Sequence, residues 1–139
     1  MNILFDTNVI LDVMLDRTPF SEPASQLLSL VEQGEISGII CATTVTTIHY
    51  LSIKILGKNE LKNQIKNLIT LFGVASVNKT VIDDAFNSQF TDFEDAVIYQ
   101  AANHAGAEAI VTRDPKSFKQ SKLPVYSSID LLRILQVIK

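Results

Sequence analysis

Short continuous apolar runs alternate with helically spaced apolar stripes along this chain. Asn2–Phe5 reads as a buried strand, and Val9–Leu15 as a helix whose apolar run is broken at Asp12 and ends at Asp16. Ser21 is placed to cap a second helix, with Glu22 and Pro23 in its first turn; it runs through Leu27, Leu28, Leu30 and Val31 and stops near Gly34. Gly38–Cys41 reads as a second strand. Thr43–Ile55 follows as a helix, although its early threonines are weak helix formers. After a turn at Gly57-Lys58-Asn59, the residues Leu61, Ile65, Leu68, Ile69 and Phe72 give Glu60–Phe72 a helical stripe. Val74–Val77 is a third strand and Lys79–Asn87 a short helix. Thr91 is expected to cap a long helix over Asp92–His104, whose early acids suit the helix dipole. Ala109–Thr112 is a fourth strand, Pro124–Tyr126 a short last one, and Ile129–Ile138 a closing helix. Short strands apolar on both faces, alternating with helices, predict an α/β domain with a parallel sheet covered on both sides.

Composition narrows the class without changing that picture. At 139 residues, 47% apolar and 19% charged, the chain suits one globular domain over 1–139 with no linker or repeat. Cys41 is the single cysteine, which excludes an internal disulfide and fits a reducing compartment. No apolar run approaches the roughly 20 residues of a membrane span, and no signal peptide is evident, so a cytoplasmic protein with no membrane partner is expected. A net charge of −3 argues against a global positive field for nucleic acid, but leaves room for a local basic rim.

The acids carry the chemistry. Asp6 closes the first strand and Asp114 lies two residues past the fourth. Open parallel sheets bind ligands beyond the carboxyl ends of their strands, so the two acids share a crevice if those strands are neighbours. Asp92 and Asp95 open the long helix and lie roughly 60° apart around it. Gathered carboxylates repel one another, and a hard divalent cation removes the conflict; carboxylate and water oxygens suit Mg2+ or Mn2+. One cysteine and two separated histidines, His49 and His104, make no zinc site. Arg17, Arg113 and Lys116 are candidate phosphate contacts.

Asp6-Thr7-Asn8 after a first strand, Phe93-Glu94-Asp95-Ala96 in a helix and Thr112-Arg113-Asp114-Pro115-Lys116-Ser117-Phe118 after a later strand resemble the PIN domain, over nearly the whole chain. Members are metal-dependent ribonucleases, many of them VapC-type toxins of toxin–antitoxin pairs. The resemblance implies a three-layer α-β-α sandwich with about five parallel strands, the first beside the fourth. It implies that Asp6, Asp95 and Asp114 are catalytic metal ligands, with Asp92 as a further candidate. Asn8, Asp12, Thr112 and Thr47 would support the ligands or orient substrate. It further implies RNA as substrate, an antitoxin partner and a homodimer, for which Glu60–Phe72 is a candidate interface.

One position departs from the family pattern. Thr47 stands where a glutamate is expected in the helix after the second strand. Either Asp92 or Asp12 supplies the missing charge, or the protein binds metal loosely and serves as a catalytically weak or inactive RNA- or protein-binding module. A receiver-like phosphoryl acceptor ranks below both, because the third strand ends in Asn78-Lys79 and not in an aspartate.

Overall fold

The protein is described from a computed structural model over residues 1–137. Five strands form one parallel sheet: β1 Asn2–Phe5, β2 Ser37–Cys41, β3 Gly73–Ala75, β4 Ala109–Val111 and β5 Val125–Tyr126. Their order across the sheet is β3-β2-β1-β4-β5. The chain therefore moves outward from β1 to one side, then crosses back to place β4 on the other side of β1. That reversal is the switch point at which open α/β sheets accept ligands. The register pairs Phe5 with Val111, so the next residues on each strand, Asp6 and Thr112, emerge side by side.

The strand period of two sorts the core into two layers. Ile3 and Phe5 point into one cluster with Ile40, Val111 and residues of α1 (Thr7–Met14), α2 (Ser21–Glu32) and α7 (Ser128–Val137). That layer also takes Ile48 of α3 (Ala42–Leu56) and Leu68 of α4 (Lys58–Leu71). Leu4, Cys41 and Ile110 face the opposite way, against α5 (Lys79–Phe86) and α6 (Phe93–His104). A sheet buried on both faces explains why its strands are continuous apolar runs.

The differences from the sequence expectation sit at element ends. Helix α6 is capped by Asp92, whose carboxylate accepts the Asp95 amide at 3.0 Å, and not by Thr91. Ser21 is the first residue of α2, after Phe20, and makes no side-chain cap. Gly57, at φ +79°, breaks α3 from α4, so α4 begins directly at Lys58 without a longer turn. Strand β3 starts one residue early, at Gly73, and stops at Ala75. Asp114-Pro115 opens a single 3₁₀ turn over Pro115–Phe118. The expected end of the closing helix at Ile138 lies outside the described residues.

Gly38 in β2 lies close under the helix layer, with no room for a side chain. A Cβ there would stand 2.5 Å from the Phe72 ring and 3.2 Å from Val31. The Phe72 ring cannot swing away freely, because it packs edge-on against Phe5 at 5.0 Å. Gly38→Ala is therefore expected to destabilise the fold by about 1–3 kcal/mol through overpacking. A urea midpoint that falls with unchanged slope is the expected reading.

Candidate functional site

Asp6 is the hinge between β1 and α1. Its amide donates to the Val111 carbonyl at 2.9 Å, one last rung of the β1–β4 ladder. Its carboxylate then serves two donors: Oδ1 accepts the Thr7 amide at 2.8 Å and Oδ2 accepts the Thr112 hydroxyl at 2.8 Å. Asp6 is thus both the N-cap of α1 and the partner of the residue that ends β4. It is 6% exposed and Thr112 is fully buried, so neither bond is shared with bulk water. Burial raises the Asp6 carboxyl above the usual carboxylate range. The Thr112 and Thr7 hydrogen bonds pull it back, and the charges of Glu94 and Asp114 push it further up.

The Thr112 hydroxyl also accepts the Asp114 amide at 3.1 Å. Ser117 donates to Asp114 Oδ2 at 2.6 Å, which holds that carboxylate against the 3₁₀ turn. Asp95 reaches the same crevice from the first turn of α6. It is half-buried, and its carboxyl makes no hydrogen bond among the described residues. Burial raises it to about 6, with further contributions from Asp92, Asp6, Glu94 and Asp114. The acids expected from the sequence are therefore brought into mutual electrostatic range. Glu94 is exposed and contributes to the same negative field.

Other expected residues divide. Asn8 is exposed next to Asp6, and its side chain has no partner among the described residues. Asp12 lies elsewhere than in the acid crevice. It is 2% exposed and receives Arg113, through Nη2 and through Nε at 3.2 Å, and Arg17 Nε at 3.1 Å. Arg113 also stacks over the Phe20 ring at 4.1 Å. Two of the three expected phosphate contacts are thereby spent on a partly buried ion cluster, which ties the β4 end to α1. Thr47 is half-buried, and its hydroxyl makes no hydrogen bond among the described residues. One turn earlier on the same side of α3, buried Thr44 bonds Thr7 at 2.9 Å, next to Asp6. The threonine-rich start of α3 thus bonds α1. His49 is exposed and His104 pairs with Asp84 at 2.7 Å, both away from the crevice.

Among the described residues, no three Asp, Glu, His or Cys side chains are gathered as a ready-made metal cage. The donor set nonetheless fits a hard cation. It is all carboxylate, it carries repulsion that a cation would relieve, and Asp95 offers an unpartnered carboxyl. Magnesium in particular retains several waters and takes only a few carboxylates together with phosphate.

A family model described as PIN domain matches residues 2–116, and the chain belongs to that family. No curated protein matches the chain in sequence. Among solved structures, a toxin–antitoxin complex from Klebsiella pneumoniae is similar at TM-score 0.68 and 20% identity, over 91% of this chain and 97% of that one. VapBC2 from Rickettsia felis, bound to a DNA fragment from its promoter, is similar at TM-score 0.67 and 14% identity, over 90% and 97%. VapC20 from Mycobacterium tuberculosis, a sarcin–ricin-loop-cleaving toxin, is similar at TM-score 0.61 and 13% identity, over 78% and 86%. At these identities the likeness is one of fold, and it agrees with the five-stranded parallel sheet described above.

The raised Asp95 pKa has a defined effect on stability. The folded state holds this proton more tightly than the unfolded chain, so stability falls as pH rises from about 4 through about 6 and stays lower above. Asp95→Asn should therefore stabilise the metal-free protein at pH 7, by on the order of 1 kcal/mol after discounting for solvent screening. The gain should vanish at pH 4. Thermal melts of both proteins at the two pH values check it.

Proposed function

We propose that the chain is a single-domain, metal-dependent endoribonuclease whose catalytic carboxylates are Asp6, Asp95 and Asp114, with Asp92 at the edge of the set. The observation that carries this reading is the convergence of acids at the sheet's switch point: the β1–β4 register sets Asp6 beside Thr112, and Asp95 and Asp114 line the adjoining crevice. An unrelieved negative crevice in a PIN domain suits a cation and a phosphodiester better than any neutral ligand. Bound Mg2+ or Mn2+ would supply an activated water and neutralise charge developing on the phosphodiester. The protein's own part is orientation. Thr112 fixes one Asp6 oxygen, the Thr7 amide fixes the other, and Ser117 fixes Asp114. Exposed Asn8 is free to hydrogen-bond a substrate phosphate or ribose.

The solved relatives named above include toxins in complex with antitoxins, and one that cleaves the sarcin–ricin loop. On that basis we read this chain as the toxin of such a pair, cytoplasmic, with RNA as substrate and an antitoxin partner. No described helix is long and apolar enough to cross a membrane. A homodimer belongs to the same reading. In α4 Leu61 and Leu68 are buried in the core and Ile69 is exposed, while Tyr50, Leu51 and Ile55 of α3 are exposed at 78%, 47% and 67% and offer a broader apolar face. Light scattering after size exclusion should give a dimer mass, and Ile55→Asp should shift it towards the monomer.

Thr47 supports a second reading, a PIN-fold module that binds without turnover. A threonine contributes no charge where the family pattern expects an acid, and no metal cage is preformed among the described residues. A mixed single-stranded RNA pool incubated with Mn2+, Mg2+ or chelator separates the two. Metal-dependent cleavage is expected, reduced at least 100-fold in Asp6→Asn, the loss of about 2.7 kcal/mol of transition-state stabilisation. Unchanged cleavage in Asp6→Asn would sink the mechanism. Cleavage that appears only in Thr47→Glu would show a disabled site in the native chain, and RNA binding by that chain would then establish the binding module.

A further inference from the structure

The acid crevice continues into a groove of about 380 Å3 between the start of α6 and the 3₁₀ turn. Asp92 and Asp95 line it from the start of α6, Asp114, Lys116 and Lys119 from the 3₁₀ turn and its flanks, and Phe90 from the loop before α6. Phe90 is held in place by stacking on Tyr99 at 5.0 Å and by the edge of Phe118 at 6.1 Å. The groove therefore has a rigid apolar part.

The two lysines differ from the arginines nearby. Arg113 and Arg17 are committed to Asp12, whereas Lys116 and Lys119 are exposed and make no ion pair among the described residues. They stay unpaired although several carboxylates lie along the same groove. A polyanion approaching those carboxylates needs positive charge close by, because the chain as a whole is negative.

We propose that this groove is the subsite for the RNA backbone flanking the cleaved bond, with Lys116 and Lys119 each neutralising one phosphate of a single strand. The assignment rests on the ribonuclease reading for its ligand. It goes beyond that reading in naming where the strand runs: away from the acids along the 3₁₀ turn, and not over α1 and Arg113. Ser117, between the two lysines in sequence, holds Asp114, so strand binding and the acid position are set by one short turn.

The test is binding of a labelled single-stranded RNA by fluorescence anisotropy, in chelator so that turnover is stopped, across a salt series. The full chain is compared with Lys116→Ala/Lys119→Ala and with Lys62→Ala/Lys66→Ala on α4, outside the groove. The groove variant should bind on the order of tenfold more weakly at low salt, and its salt slope should flatten by about 1.4, at about 0.7 per phosphate contact on a single strand. The α4 variant should match the parent. Thermal melts show that the exposed lysine changes leave the fold intact. If the parent binds RNA and the groove variant binds identically, the subsite is wrong while the ribonuclease reading survives. If the parent binds no RNA in chelator, the subsite falls, while the metal-dependent cleavage assay decides the ribonuclease reading separately. Lysine-dependent binding without metal-dependent cleavage in a parallel assay would uphold the subsite and overturn the catalytic reading.

Discussion

The hydrogen bond from the Thr112 hydroxyl to the Asp6 carboxylate joins the ends of two neighbouring strands. It exists because β4 returns to the side of β1 that β2 does not occupy, with a register that leaves Asp6 and Thr112 abreast. It forms in a fully buried setting, where an unmade bond to a carboxylate would be costly. Asp114 is referred to the same atom through its amide, so two of the acids are positioned by one hydroxyl. A serine could make the same bond. A valine, of the same shape, would leave an Asp6 oxygen and the Asp114 amide without their partner.

A second tie works beside the first. Buried Asp12 takes both Arg113 and Arg17, and Arg113 stacks on Phe20. This fastens the residue between Thr112 and Asp114 to α1 and to the loop before α2. A buried carboxylate with two guanidinium partners is weak evidence for added stability but good evidence for a fixed arrangement. Arg113 therefore acts on the crevice by holding the segment that carries Asp114, and its charge is already answered. The positive charge that remains available at the crevice is that of the lysines.

Most of the fold could be read from the chain because its signals are local. Apolar runs such as Ile3–Phe5 and Ala109–Val111 mark strands buried on both faces, and stripes such as Leu61, Ile65 and Leu68 mark helices. Element ends were read less well, because capping depends on which side chain finds the free amides; Asp92 and Thr91 are equally plausible caps until geometry decides. Asp6, Asp95 and Asp114 could be singled out because acids at strand ends and in a helix's first turn are conspicuous. Asp12 could not be placed, since its partners lie 5 and 101 positions away and no spacing announces them. The same holds for the bond between Thr7 and Thr44, which made the early threonines of α3 look like a weakness when one of them is a contact.

The two partners of the central hydrogen bond are 106 positions apart in the chain. Synthesis at about 5–20 residues per second separates their appearance by roughly 5 to 20 s. Throughout that interval Asp6 is present without the strand that orients it, and Asp95 arrives before the turn that carries Asp114. A nascent chain on the ribosome thus holds most of its acids but no assembled crevice. Any product that terminates before β4 has the same defect. The crevice is thus completed only by the late return of β4, however early its first acid appears.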